Sequence, residues 1–153
     1  MLGKLFYAVH VLGAVLWVGG MAFAILALRP ALRALEPPQR LLLDEGALSR
    51  FFRIVWHAMP AVLLTGWALL FGWYGGFRGA GWHVHVMHFT ALIMAAVFVA
   101  LFTGPWREFR AARAAGDDPR SAAAVDRIRQ LVTMNLALGL ATVAVAAWGR
   151  FGG

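Results

Sequence analysis

The chain has 153 residues, a formal charge of +7, 61% hydrophobic residues and only 14% charged ones. The usual charged share is about 25%, so an ordinary soluble domain is excluded, and long apolar runs in such a chain mean transmembrane helices. With no cysteine, disulfides, thiolate metal sites, cysteine nucleophiles and covalent c-type haem attachment are excluded.

Four apolar stretches predict an all-α, integral membrane four-helix bundle. It forms a single domain over residues 1–153, with helices at about 5–28, 54–74, 82–103 and 119–149, the membrane part of the last being 131–148. The first helix follows Lys4. It is too long for the apolar core of a signal peptide and lacks a clean small-x-small ending, so it reads as a retained helix. His10, Gly13, Trp17, Gly20 and Met21 form one stripe along it at helical spacing. Glycines beside a histidine let a flat macrocycle or a neighbouring helix approach the backbone.

Arg29, Arg33, Arg40, Arg50 and Arg53 follow, with Pro37-Pro38 as a breaker. The second helix carries His57, four residues past Arg53, and Pro60, which predicts a kink. A turn over 72–81 leads to Trp82-His83-Val84-His85-Val86-Met87-His88, which opens the third helix and holds three of the five histidines. His85 and His88 are three apart and share a face, whereas His83 projects elsewhere and reads as interfacial. Arg107, Arg110, Arg113, Arg120, Arg127 and Arg129 lie in the next connection. Asp118 there is the expected N-cap of the fourth helix and Pro119 its first residue. Trp73, Trp82, Trp106 and Trp148 sit at segment ends, where amphipathic rings favour the interface. Asn135 predicts an interhelical hydrogen bond, with a quinone or second-metal site as the sharper alternative.

The two arginine-rich connections hold eleven basic residues; the termini and the 72–81 turn hold three. The positive-inside rule therefore predicts cytoplasmic arginine-rich loops, with both termini outside, in the periplasm of a bacterium. The basic balance then reports topology, with no nucleic-acid partner. At a rise of about 1.5 Å per residue, His10 and His88 each lie roughly 9 Å below the outer interface, six residues past Lys4 and Trp82. His57 lies roughly 6 Å from the opposite face, so it is not expected to share an iron with His10. Two imidazoles at one depth are a standard means of holding a b-type haem in a bundle. His10 and His88 are thus the expected iron ligands. His85 is the alternative on the same face, and Gly13 and Trp17 are flanking candidates. His57 stays a lesser cofactor candidate.

Several runs resemble the CopD (copper-resistance D) family: His10-Val11-Leu12-Gly13, Trp17-Val18-Gly19-Gly20-Met21 and Arg29-Pro30. So do Arg50-Phe51-Phe52-Arg53, Thr65-Gly66, and Arg127-Ile128-Arg129 with Asn135 and Gly139. The likeness covers nearly the whole chain. A more distant likeness is to HemJ, the membrane protoporphyrinogen oxidase. HemJ-type proteins open their third helix with His-x-Lys, where this chain has His85-Val86-Met87 and lacks the lysine. The wider group implies either copper handling or b-type haem.

The leading expectation is a small b-type cytochrome of the bacterial inner membrane. Its haem b sits in the outer half of the bundle, with Lys4, Arg78 or Arg150 near the propionates, and it transfers electrons from quinol or to a periplasmic redox partner. The alternative is a copper-binding or copper-transport protein using His83, His85, His88 and Met87. A HemJ-like oxidase is the third. Whether the chain is an enzyme stays open, as does homo-oligomerisation in the lipid bilayer.

Overall fold

The computed structural model of the chain describes residues 1–150, so the last three positions of the expected domain lie outside it. All described regular structure is helical: α1 (Leu2–Phe23), a π-helical turn (Ala24–Leu28), α2 (Arg29–Leu32), α3 (Pro37–Gly72), α4 (Trp82–Thr103), α5 (Pro105–Ala114) and α6 (Asp118–Arg150). Four continuous stretches, Leu2–Leu32, Pro37–Gly72, Trp82–Ala114 and Asp118–Arg150, are long and apolar enough to cross a membrane.

Local sequence explains most of the boundaries. Pro30 has no N–H to give and its ring crowds the carbonyl four residues back. The helix passes it by widening to a π turn, in which the Arg29 N–H bonds the Ala24 carbonyl. Pro37 and Pro38 begin α3 instead of separating loops, because proline is at home in a first helical turn. α3 then continues through Pro60 as one helix. Gly104 interrupts the third span, and Pro105 starts α5. Gly116, at φ +69°, ends α5 with the left-handed residue such a cap requires, and the Asp117 N–H returns to the Ala112 carbonyl. The cap of α6 differs by one residue from expectation. Asp118 is already helical, and the Asp117 carboxylate accepts the Arg120 N–H at 3.0 Å.

The helices pack as two pairs, α1 on α3 and α4 on α6, with α5 folded back against α6. Glycines set the closest approaches. A Cβ on Gly13 would collide with Val62 of α3, and one on Gly20 with Phe51. These glycines therefore serve helix packing. Gly139 does the same for α6, with Val18 and Met94 against it.

The arginine-rich ends are ordered helix, tied by ion pairs from Arg113 to Glu45 and Asp118, and from Arg127 to Glu108. Trp106 is not the interfacial anchor its place in the chain suggested. It is 5% exposed, meets Phe52 edge-on at 5.1 Å and stacks on Phe109. The amphipathic α5 turns this ring inward. Trp73, Trp82 and Trp148 are exposed.

The core thins towards the opposite end, which carries the histidines. On α1 the first buried residue is Gly13, on α4 it is Met94, and on α6 the last is Gly139. Beyond these positions, between His10 and the Thr90–Thr142 hydrogen bond, the three helices bury no side chain fully.

Candidate functional site at the histidine-bearing end

His10 is held by α3. Its Nδ1 lies 2.9 Å from the Val62 carbonyl oxygen and 3.3 Å from Thr65 Oγ1. A carbonyl can only accept, and the Thr65 hydroxyl gives its own hydrogen to the Ala61 carbonyl. Nδ1 therefore carries the ring hydrogen, and in the neutral imidazole Nε2 keeps its lone pair. Metal-ligating histidines are oriented in this way, through an N–H to a carbonyl on the far side of the ring. Gly66 makes room for the ring: a Cβ there would stand 3.1 Å from His10 Cε1. Thr65 and Gly66 were visible in the sequence only through family likeness. The signal that marks them is their register, one turn past Val62 on the face that α1 covers.

His88 has the opposite polarity. The Trp67 indole N–H can only donate, and it donates to His88 Nδ1 at 3.3 Å. In the neutral ring the hydrogen then sits on Nε2. Phe77, from the α3–α4 turn, meets the His88 ring edge-on at 5.3 Å and stacks on His85 at 5.8 Å. His85 is exposed and makes no hydrogen bond among the described residues. Neither Trp67 nor Phe77 stood out in the sequence, because aromatic residues in an apolar span look like filler.

His10 and His88 do meet α3 at one level, at Val62–Gly66 and at Trp67. At about 100° per residue, however, Trp67 lies about 140° round the helix from Val62. The structure brings both histidines to α3 at matching depth and does not set them face to face. Met87, between His85 and His88, is half-buried.

The remaining candidates separate cleanly. His57 is exposed, and its Nδ1 bonds the Arg53 carbonyl of its own helix at 2.7 Å. It stands eight residues, about 12 Å, along α3 from Thr65. His83 is half-buried against Gly149 of α6, and its Nδ1 has no hydrogen-bond partner among the described residues. Its ring pairs edge-on with Trp82 instead of joining the Phe77 cluster. Trp17 is 2% exposed and belongs to the core between α1 and its neighbours. Asn135, 3% exposed, donates to the Met94 carbonyl at 3.1 Å and thereby joins α6 to α4.

Among the described residues no group of three or more His, Asp or Glu side chains converges as a metal site. A haem asks less of the protein, one or two imidazoles, and the donors at this end are imidazoles. The His10 ring fits that demand as it stands. His88 fits it only when Trp67 gives up its hydrogen bond.

Comparison with known proteins adds one finding. The family described as CopD, Copper resistance protein D, matches residues 45–149. The chain belongs to the CopD family. The match runs from Glu45, within α3, through the histidines of α4 almost to the end of α6, and it leaves α1, with His10, outside. Together with the four spans it makes this CopD-family chain a multi-pass membrane protein. No curated protein and no solved structure matches it significantly.

Proposed function

We propose that this CopD-family protein binds haem b at the histidine-bearing end of its bundle and serves transmembrane or quinol-linked electron transfer. The observation that carries the reading is the His10 ring. Val62 and Thr65 fix its tautomer and leave Nε2 free as a ligand. Thin packing of α1, α4 and α6 beyond Gly13, Met94 and Gly139 supports it. His88 is the second imidazole in this reading; because α3 sets it about 140° round from His10, it reaches a shared haem only by leaving Trp67 and moving towards α1, with His85, one turn nearer the end, as the alternative donor. Lys4, Arg78 and Arg150 are the cations of this end, suited to carboxylates. A haem held by two imidazoles contributes a one-electron ferric–ferrous couple. The chain's residues contribute orientation, through the Val62 and Thr65 bonds, and an apolar setting. By the positive-inside rule this end faces the periplasm of a bacterial inner membrane.

The test is a reduced-minus-oxidised spectrum of the protein purified in mild detergent, with metal content measured on the same samples. The expected result is a low-spin haem signal near one per chain, lost or greatly loosened in His10→Ala and His88→Ala and retained in His57→Ala. A coloured protein indifferent to both His10→Ala and His88→Ala would remove the site. Copper handling is the second reading, favoured by the family's description and by the imidazole and thioether donors of His85, Met87 and His88. A colourless protein that retains stoichiometric copper would decide for it.

A further inference from the structure

A second feature lies at the arginine-rich end, independent of the histidines. A cavity of about 180 Å³ opens where α1 passes through its π turn into α2, bounded by the start of α3 and by α6. Its polar lining is Arg29, Arg33, Arg40 and Arg129, with Asp44 as the one acid. Its apolar wall includes Ile25 and Leu28 of the π turn, and Ile128 and Val132 of α6. Four guanidinium groups against one carboxylate leave an excess of positive charge in a small, half-enclosed space.

Two of the four cations have structural employment. Arg40 donates to the Leu32 and Leu35 carbonyls and so caps the end of α2. Arg129 pairs with Asp126. Arg29 and Arg33 make no ion pair among the described residues, and Arg29 Nε is buried without a hydrogen-bond partner. A buried guanidinium N–H that bonds nothing costs free energy, so it marks a place for an acceptor. The π turn that accommodates Pro30 sets the Arg29 side chain at this spot.

We propose that this cavity binds the phosphate headgroup of an anionic phospholipid. Guanidinium is the planar fork that matches phosphate oxygens, and basic pockets between transmembrane helices suit anionic headgroups. The apolar wall decides between a lipid and a free phosphate. Ile25 and Leu28 face Ile128 and Val132 next to the arginines, which gives an attached glycerol and acyl chain a surface that inorganic phosphate does not use.

Delipidated protein in neutral detergent tests this by lipid titration, read by native mass spectrometry and by thermal unfolding. The probes are a phosphatidylglycerol, the zwitterionic phosphatidylcholine with the same chains, and sodium phosphate. Phosphatidylglycerol should bind at one per chain and raise the unfolding temperature, while the other two should not at equal concentration. Arg29→Gln with Arg33→Gln should weaken phosphatidylglycerol binding roughly twenty-five-fold, about fivefold for each charge lost. Arg33→Gln alone, at an exposed residue, supplies the reading should the double variant fail to fold. Arg107→Gln, which removes a charge of the same end outside the cavity, should leave binding unchanged. Equal binding of the two lipids, or unchanged binding in the arginine variants, would overturn the site. Protection by sodium phosphate as strong as by phosphatidylglycerol would overturn the assignment to lipid.

Discussion

His10 and His88 illustrate how much a hydrogen-bond partner decides about an imidazole. Both rings rest on α3 at one level, yet a carbonyl makes one a Nδ1 donor and an indole makes the other a Nδ1 acceptor. If His88 is the second ligand, Trp67 competes with the iron for the ring's orientation. Trp67→Phe keeps an aromatic side chain and removes the donor. It should therefore raise haem occupancy, or leave it full while tightening retention during detergent washing. Measured loss of haem in a folded Trp67→Phe protein would mean that the indole supports the site instead of restraining it. The sequence made the common level of His10 and His88 legible, since level along a helix follows from counting residues at about 1.5 Å each. Their partners were not legible, because Val62, Thr65 and Trp67 come from another helix whose rotation no local pattern fixes.

Among the elements, α4 could be read to the residue, Trp82–Thr103, because Gly81 and Gly104 bracket one apolar run. α6, Asp118–Arg150, was legible to within a residue at each end, whereas α3 begins at Pro37, well before the expected 54, since charged residues can extend a helix once it has left the hydrocarbon. The inward turn of Trp106 was hidden for a related reason: only the pairing of α5 with α6 makes an arginine-rich decapeptide a lid over apolar rings. Helix pairing itself rests on small residues, and two glycines separate packing from mere permissiveness. Gly139→Leu drives a side chain towards Val18 and Met94, which a Cβ alone would approach to 2.9 and 3.1 Å. Overpacking of this kind costs about 1–3 kcal/mol, so its thermal unfolding in detergent should fall by several degrees. A Cβ on Gly19 meets nothing within 4 Å, so Gly19→Ala should leave the unfolding temperature unchanged. Equal effects of the two would show that α6 does not depend on that close approach.

For the whole molecule the asymmetry of charge and the asymmetry of packing coincide. Eleven of the fourteen lysines and arginines lie in the connections joined to the well-filled end, and the histidines lie at the thin one. Reporter fusions after Pro38 and after Ala115 should report the cytoplasm, and one after Gly76 the outside. A fusion at Pro38 that reports the outside would invert the membrane orientation and with it the side from which an electron partner reaches His10. Fold class was open to reading because hydropathy alone specifies four spans. The pairing of α1 with α3 and of α4 with α6 was not, because it rests on contacts between helices that hydropathy does not record.

The length of α3 carries one more consequence. Its 36 residues extend about 54 Å, against a hydrocarbon core of about 30 Å. The excess, braced by α5 and the start of α6, projects past the hydrocarbon at the arginine-rich end as a stiff knob, with the headgroup cavity at its base. Particles of so small a membrane protein are usually featureless inside a micelle. Here a built-in landmark tells one end of the particle from the other in images. Its exposed helical faces offer a rigid place to fuse or dock a larger marker, far from the histidines.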